Sequence, residues 1–148
     1  MDPLKPWKVT IELEALLIGY VRNDCLNYMT KSQNYISIDR QKAWWKAFEG
    51  KAFLYSPIDS DELIGFGILN KNGSLSGGLV ESYRDKGLGK FLFGHLKSLQ
   101  PHTWLEVFAT NERAYKLYYK LGYKLTGRRY DLNDRLIYIM EAQNDTPT

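Results

Sequence analysis

Residues 84–90, Arg-Asp-Lys-Gly-Leu-Gly-Lys, set two glycines and three cations after an apolar segment and at the head of an amphipathic run. A glycine-containing turn between a strand end and a helix start lets consecutive backbone N–H groups converge on one anion, and the helix dipole favours negative charge at the same place. That geometry suits a phosphate. The nucleoside-triphosphate loop is excluded, because the residue five before Gly89 is Arg84 and Phe91 stands where Ser or Thr should follow the lysine. The dinucleotide fingerprint is excluded too, since its third glycine would fall on Leu92. On residue types alone, the turn stays open between an anion cradle and a tight entry into a helix, because a glycine pair by itself is weak evidence.

Three further residues have side chains suited to proton transfer or polar contact. Glu106 is a lone charge in the apolar run Trp-Leu-Glu-Val, and strand alternation sets it opposite Leu105 and Val107. Such a carboxylate needs a partner, water or a function, so a salt-bridged glutamate and a catalytic one both fit. Asn111 stands where a side chain can cap the helix that follows. Tyr118 shares a helix face with residues 114, 117 and 121, which on spacing alone is the pattern of a core tyrosine. No metal site is expected, because one cysteine with His95 and His102 lacks the ligand count and spacing of a zinc centre. Cys25 reads as a small buried filler.

The elements that must position these residues follow from periodicity. Thr10 is the expected cap of a helix carrying Leu13, Leu16, Leu17 and Tyr20 on its inner face to about Asn23. The segment 7–9 is open between strand and coil. A second helix runs from Ser37 or Asp39 with Ala43, Trp44, Ala47 and Phe48 inward, and Gly50 stops it. Residues 52–55 and 63–69 read as strands across a turn rich in Pro, Ser and Asp, and 74–80 as a third strand that Gly77-Gly78 should weaken, bulge or bend. Leu88, Phe91, Leu92, Leu96 and Leu99 then keep helical spacing until Pro101. A strand over 103–109, a helix stopped by Gly122, a hairpin across residues 131–134 and a loose polar tail from about 142 complete the pattern. The order predicts an α+β fold in three αβα layers, a mixed and mostly antiparallel sheet flanked by about four helices.

Bulk properties agree with one small domain spanning 1–148: the chain has 148 residues, 44% of them hydrophobic. With a net charge of +3 and no long Lys/Arg block, nucleic acid is not an expected partner. A single cysteine forbids an intrachain disulfide, and no apolar run suits a signal peptide or membrane span, so a reducing, cytoplasmic setting is expected.

The Arg84–Gly89 turn has the form R/Q-x-x-G-x-G/A. Downstream, "WLEVFATNERAYKLYYKLGY" gives a strand, an Asn, a helix with Tyr seven residues on, and a Gly-aromatic end. Together these blocks resemble the GNAT superfamily of acetyl-CoA-dependent N-acetyltransferases, over roughly residues 10 to 140. "VRND" and "ISIDRQKAWW" look like the amino-terminal helices of the branch holding ribosomal-protein and amino-sugar acetyltransferases.

The resemblance implies acetyl-CoA as donor, with coenzyme A as product. It implies that the pyrophosphate rests on the amides of Asp85, Lys86, Gly87, Leu88, Gly89 and Lys90, with Arg84 opening the motif. It further implies that the pantetheine arm lies along the strand at Gly77, Leu79 and Val80, where family strands bulge and part, and that Asn111 contacts the cofactor near its reactive end. Tyr118 matches the family's general-acid tyrosine, and Glu106, twelve residues earlier, resembles the glutamate of the ribosomal-protein enzymes and is the implied base, with Glu81 or water in reserve. The acceptor would be an amine held near Arg22, Asn23, Tyr28, Tyr35 and Trp44. A small molecule such as an amino-sugar nucleotide is preferred because the short 131–134 hairpin leaves little to cover a peptide. Protein or peptide amines, aminoacyl-tRNA or a modified base, and a non-catalytic coenzyme A sensor are the alternatives. Dimers are common in the superfamily.

Overall fold

Short, mostly apolar runs between turns rich in Pro, Asp, Asn and Gly form the central strands, and amphipathic segments form the helices. The computed structural model describes residues 2–25 and 35–143. The order is β1 (Leu4–Lys8), α1 (Glu12–Asn23), α2 (Ile38–Ala47), β2 (Gly50–Pro57), β3 (Gly65–Asn70), β4 (Leu75–Leu79), α3 (Gly89–Lys97), β5 (His102–Phe108), α4 (Glu112–Lys120), β6 (Lys124–Tyr130) and β7 (Leu136–Gln143), with a 3-10 turn at Glu81–Tyr83 after β4. The expected α+β class holds. One antiparallel sheet has the order β1-β2-β3-β4 and the other β5-β7-β6. A parallel bridge, Ser74 to Trp104, joins them.

Strand alternation divides the core between two faces. Phe53, Tyr55, Leu105, Val107 and Met140 pack with Leu92, Leu96 and Tyr118 of α3 and α4. On the other face Ala52, Leu54, Phe66 and Ile68 meet Ala15, Ile18 and Val21 of α1. These are the three layers.

Several local expectations are corrected. Thr10 does not cap α1: the boundary residue is Ile11, and Glu14 reaches back to accept from the N–H groups of Thr10 and Ile11 at 3.0 and 3.3 Å. The inner face of α1 is Ala15, Ile18, Gly19 and Val21, whereas Leu13, Leu17 and Tyr20 are exposed. Small residues win that face because α2 comes close. A Cβ on Gly19 would sit 3.2 Å from the Gln41 side chain, and Gln41 Nε2 donates to the Ala15 carbonyl at 2.8 Å. On α2 the buried residue is therefore Gln41, while Ala43 and Ala47 are exposed and Trp44 and Phe48 half-buried. Ser37 is its cap, accepting from Arg40 N at 3.2 Å, and Gly50 opens β2.

The glycine pair of β4 produces no bulge, since the ladder to β3 runs in register from Leu75 to Leu79. Its cause is packing: a Cβ on Gly77 would lie 3.1 Å from Leu92, and one on Gly78 would lie 3.0 Å from Cys25 Sγ. The expected tail is ordered through Gln143 because Glu141, Ala142 and Gln143 pair with β5.

Candidate active site

β4 and β5 run side by side in parallel, are bridged at Ser74 and Trp104 where they begin, and belong to different sheets. The V-shaped split implied by the family pattern is present without the bulge. Its narrow end is held by Trp104 N donating to Gly73 O at 3.0 Å and the Trp104 indole donating to Asn72 O at 3.2 Å.

Backbone parity in β4 decides what faces the split. Val80 N donates to Ile64 O at 2.8 Å, so Val80 and, by alternation, Gly78 direct their polar groups to β3. Gly77 and Leu79 direct theirs into the split. The Leu79 carbonyl is already taken by Arg84 Nε at 2.9 Å and by the Cys25 thiol at 3.3 Å. What remains there is the N–H of Gly77 and Leu79 and the carbonyl of Gly77, a short ladder suited to an amide-bearing chain. Val80 thus has no backbone group on the split.

At the wide end lies the 84–90 turn. No protein acceptor takes the N–H groups of Asp85 to Lys90 among the described residues. They sit at the start of α3, where the helix dipole adds positive potential. Asp85 and Gly87 adopt φ of 65° and 75°, and a Cβ on Gly87 would meet nothing within 4 Å. Gly87 is therefore required by conformation, and its open side is free for a ligand. Asp85 is tied to Arg113 on α4 by an ion pair, Leu88 packs on the core, and Gly89 lets α3 approach Leu117. Lys86 and Lys90 are exposed. Arg84 differs from the expectation of an anion contact. Its Nη2 donates to Asp24 O at 2.8 Å, so this guanidinium clamps the ends of α1 and β4 together.

Asn111 caps α4, its Oδ1 accepting from Ala114 N at 3.3 Å. Seven residues along a helix rise about 10 Å, which carries Tyr118 back toward the narrow end. Tyr118 is 9% exposed and edge-packed on Phe93 at 4.9 Å and near Tyr123 at 6.2 Å. Its hydroxyl has no protein partner among the described residues, yet it is not sealed from the exterior. Burial pushes its pKa well above the ordinary phenol value. Tyr123 differs, since its hydroxyl bonds Thr103 Oγ1 at 2.6 Å.

Glu106 lies on the face of β5 away from Tyr118, because Leu105 and Val107 enter the α3/α4 core. Arg129 on β6 grips it twice, Nε to Oε2 at 2.5 Å and Nη2 to Oε1 at 3.0 Å. Side-chain exposures are 8% for Glu106 and 39% for Arg129. The salt-bridged reading thus describes its geometry, and Arg129 is a residue that sequence spacing had not singled out. Glu81 lies beyond the end of β4, donating its N–H to Asp24 at 2.7 Å. From Ser76 to Leu79 alone is about 10 Å of strand, so Glu81 belongs to the wide end.

Two hollows on the α1/α2 face take up the expected acceptor residues. One, of about 300 Å³, is lined by residues including Arg22, Arg40, Gln41, Trp44, Asn70 and Ser76. The other, of about 770 Å³, includes Tyr20, Asn23, Asp24, Tyr35, Glu62 and Glu81. The expected acceptor residues are thereby divided: Arg22 and Trp44 line the first, and Asn23 and Tyr35 the second. Tyr28 lies outside the described residues. Asn23 also has a local task, bonding both Ile36 N at 2.8 Å and Ile36 O at 3.1 Å. Gln41 and Arg40 escaped the sequence reading because helix periodicity alone assigns polar side chains to solvent.

Against known proteins, the model of the acetyltransferase (GNAT) family matches residues 19–123. Among solved structures, spermidine N-acetyltransferase from Vibrio cholerae in complex with CoA and spermine superposes with a TM-score of 0.78 at 16% identity, covering 97% of this chain and 96% of that one. A GNAT-family acetyltransferase from Streptococcus pneumoniae gives 0.72 at 15% identity, covering 95% and 99%. At these identities the likeness is one of fold. No curated protein matches the chain.

Proposed function

The chain belongs to the acetyltransferase (GNAT) family, with acetyl-CoA as donor, and from that premise we propose that it acetylates a small primary amine at the narrow end of the β4/β5 split. One observation carries the reading. Among the described residues, the amides at the wide end of the split have no protein acceptor and the Tyr118 hydroxyl, in the layer behind it, has no protein partner. The pyrophosphate of acetyl-CoA accepts from the N–H groups of residues 85–90. Its pantetheine arm runs along Gly77 and Leu79, and the thioester lies toward the apex.

The amine attacks the thioester carbonyl from the α1/α2 face. A C–N bond forms, the C–S bond breaks, and the electron pair goes to sulfur. Tyr118 donates its proton to that sulfur and is reprotonated by water. Its raised pKa keeps the phenol protonated at neutral pH. The amine must also lose a proton. Glu106 faces the acceptor side, but both its oxygens already accept from Arg129. It therefore takes that proton through a bridging water, and the ion pair holds the carboxylate in place. Asn111 keeps its cap and can turn its amide N–H toward the cofactor.

The experiment is a thiol-release assay with acetyl-CoA and a panel of small amines, nucleotide-linked amino sugars and amine-bearing peptides, paired with thermal stabilisation by coenzyme A. Stabilisation with turnover of a small amine is expected. Absence of stabilisation would overturn the reading of the 84–90 turn, and turnover of peptides alone would overturn the small acceptor.

A further inference from the structure

The cavity of about 300 Å³ lies between α1, α2 and strands β3 and β4, and both Arg22 and Arg40 line it. No Asp or Glu is among its described lining residues. Its remaining polar groups, Gln41, Asn70 and Ser76, are neutral. Ser76 lies two residues beyond the Ser74–Trp104 bridge, so this basic cavity abuts the narrow end of the split. Arg22 is half-buried in the last turn of α1, and Arg40 projects from the first turn of α2. Burial above all, with a smaller contribution from the nearby Arg40, holds the Arg22 guanidinium below its usual range. Two cations facing one small hollow are a poor setting for a polyamine, which would bring further positive charge into it. The acidic hollow is a poorer place for chemistry, because it lies at the wide end beyond β4. Two of its carboxylates are also engaged, Asp24 by Glu81 N at 2.7 Å and Glu62 by Tyr83 Oη at 2.9 Å.

We infer that the acceptor is a small amine that also carries an oxyanion, a carboxylate or a phosphate, held by Arg22 and Arg40 in this cavity. The inference rests on the acetyltransferase reading above and names the substrate class of the same site. Guanidinium pairs recognise planar carboxylate and phosphate oxygens through charge-assisted hydrogen bonds. The volume is at the small end of ligand sites, which span about 300 to 1,000 Å³, so the fit is to a molecule of amino-acid size. Trp44 and Ile68 supply apolar wall for a short hydrocarbon spacer. The arginines act on the amine as well, since like charge nearby disfavours its protonated form and so favours the nucleophile. The step balances as before: C–N forms, C–S breaks with its pair on sulfur, sulfur takes the Tyr118 proton, and the surplus amine proton passes through water to Glu106. The product keeps its oxyanion and loses its cation.

The test uses matched pairs on the full chain with acetyl-CoA: γ-aminobutyrate against butylamine, phosphoethanolamine against ethanolamine, and spermidine as the cationic extreme. At least one oxyanion-bearing member is expected to exceed its oxyanion-free match in kcat/KM by about tenfold or more, the value of one charge-assisted hydrogen bond. Which pair shows it identifies carboxylate or phosphate. In Arg40→Gln, at an exposed position that tolerates change, that ratio should fall toward one while coenzyme A still raises Tm. Arg22→Lys, which keeps the charge but loses the fork, should lower the ratio as well. Equal or better turnover of the oxyanion-free amines or spermidine would overturn the inference. So would a ratio that survives Arg40→Gln, or failure of every oxyanion amine in a protein that coenzyme A stabilises. Failure of coenzyme A to stabilise the wild-type chain would instead bring down the acetyltransferase reading beneath it.

Discussion

Two buried tyrosines with rings 6.2 Å apart make opposite predictions for the same substitution. Tyr118→Phe removes a hydroxyl that has no protein partner among the described residues, while its ring contact with Phe93 at 4.9 Å remains. No hydrogen bond is lost and no group is orphaned, so stability should stay within about 0.5 kcal/mol of wild type. Tyr123→Phe breaks the 2.6 Å bond to Thr103, a residue only 1% exposed, and strands its hydroxyl. An orphaned buried polar group costs about 1–3 kcal/mol, and at about 2–4 °C per kcal/mol for a chain near this size Tm should fall by several degrees. Activity should divide the other way. Loss of a general acid removes roughly 10²–10⁴ from kcat, about 3–5 kcal/mol of barrier, so Tyr118→Phe should be stable and nearly inactive. Tyr123→Phe should be less stable, with kcat changed little below its new Tm. The assay is thiol release at saturating acetyl-CoA, beside thermal unfolding of each variant. A Tyr118→Phe protein with kcat within about threefold of wild type would refute the acid role, which should cost a hundredfold or more. One that loses Tm as Tyr123→Phe does would show the phenol to be a structural group.

Gly87→Ala should cost about 1–2 kcal/mol in stability from its left-handed backbone alone, because a Cβ there meets nothing within 4 Å; coenzyme A affinity, read by titration, should fall with it. Glu106→Gln should weaken the grip of Arg129, costing about 1–2 kcal/mol after allowance for Arg129's partial exposure, and should lower kcat in the thiol-release assay by about a hundredfold or more; kcat within about threefold of wild type would assign the proton to another group. Burial raises the phenol pKa of Tyr55, Tyr118 and Tyr123. A group whose folded pKa lies above its unfolded value stabilises fully below the unfolded pKa and loses that contribution as pH rises. Denaturant unfolding should therefore show no tyrosine-linked loss up to about pH 10 and declining stability above it, with phenolate absorbance appearing as the chain unfolds.

The sequence by itself determined the α+β class, the family and the order of the elements after β1, because these depend on local signals. Glycine at a left-handed position, hydrophobic period, turn residues and a Tyr at fixed spacing after an Asn can all be read within a few turns of chain. It also left open whether Glu106 is paired, and rightly so: the partner, Arg129, lies on β6, 23 residues away, and reaches it only through the β5-β7-β6 sheet order. Tertiary packing alone decided the inner face of α1. Leu13 and Leu17 have the helical spacing of a core stripe, yet Ala15 and Gly19 are buried because α2 needs the close approach. It likewise turned Arg84 from an expected anion ligand into a clamp on Leu79 and Asp24, whose carbonyls converge only when α1 meets the end of β4. The basic cavity has the same origin. Arg22 and Arg40 stand on different helices, and nothing in their spacing along the chain states that both face one hollow beside Ser76. Local conformation is set by neighbours in sequence and can be read there, whereas the charge of a site is summed over neighbours in space.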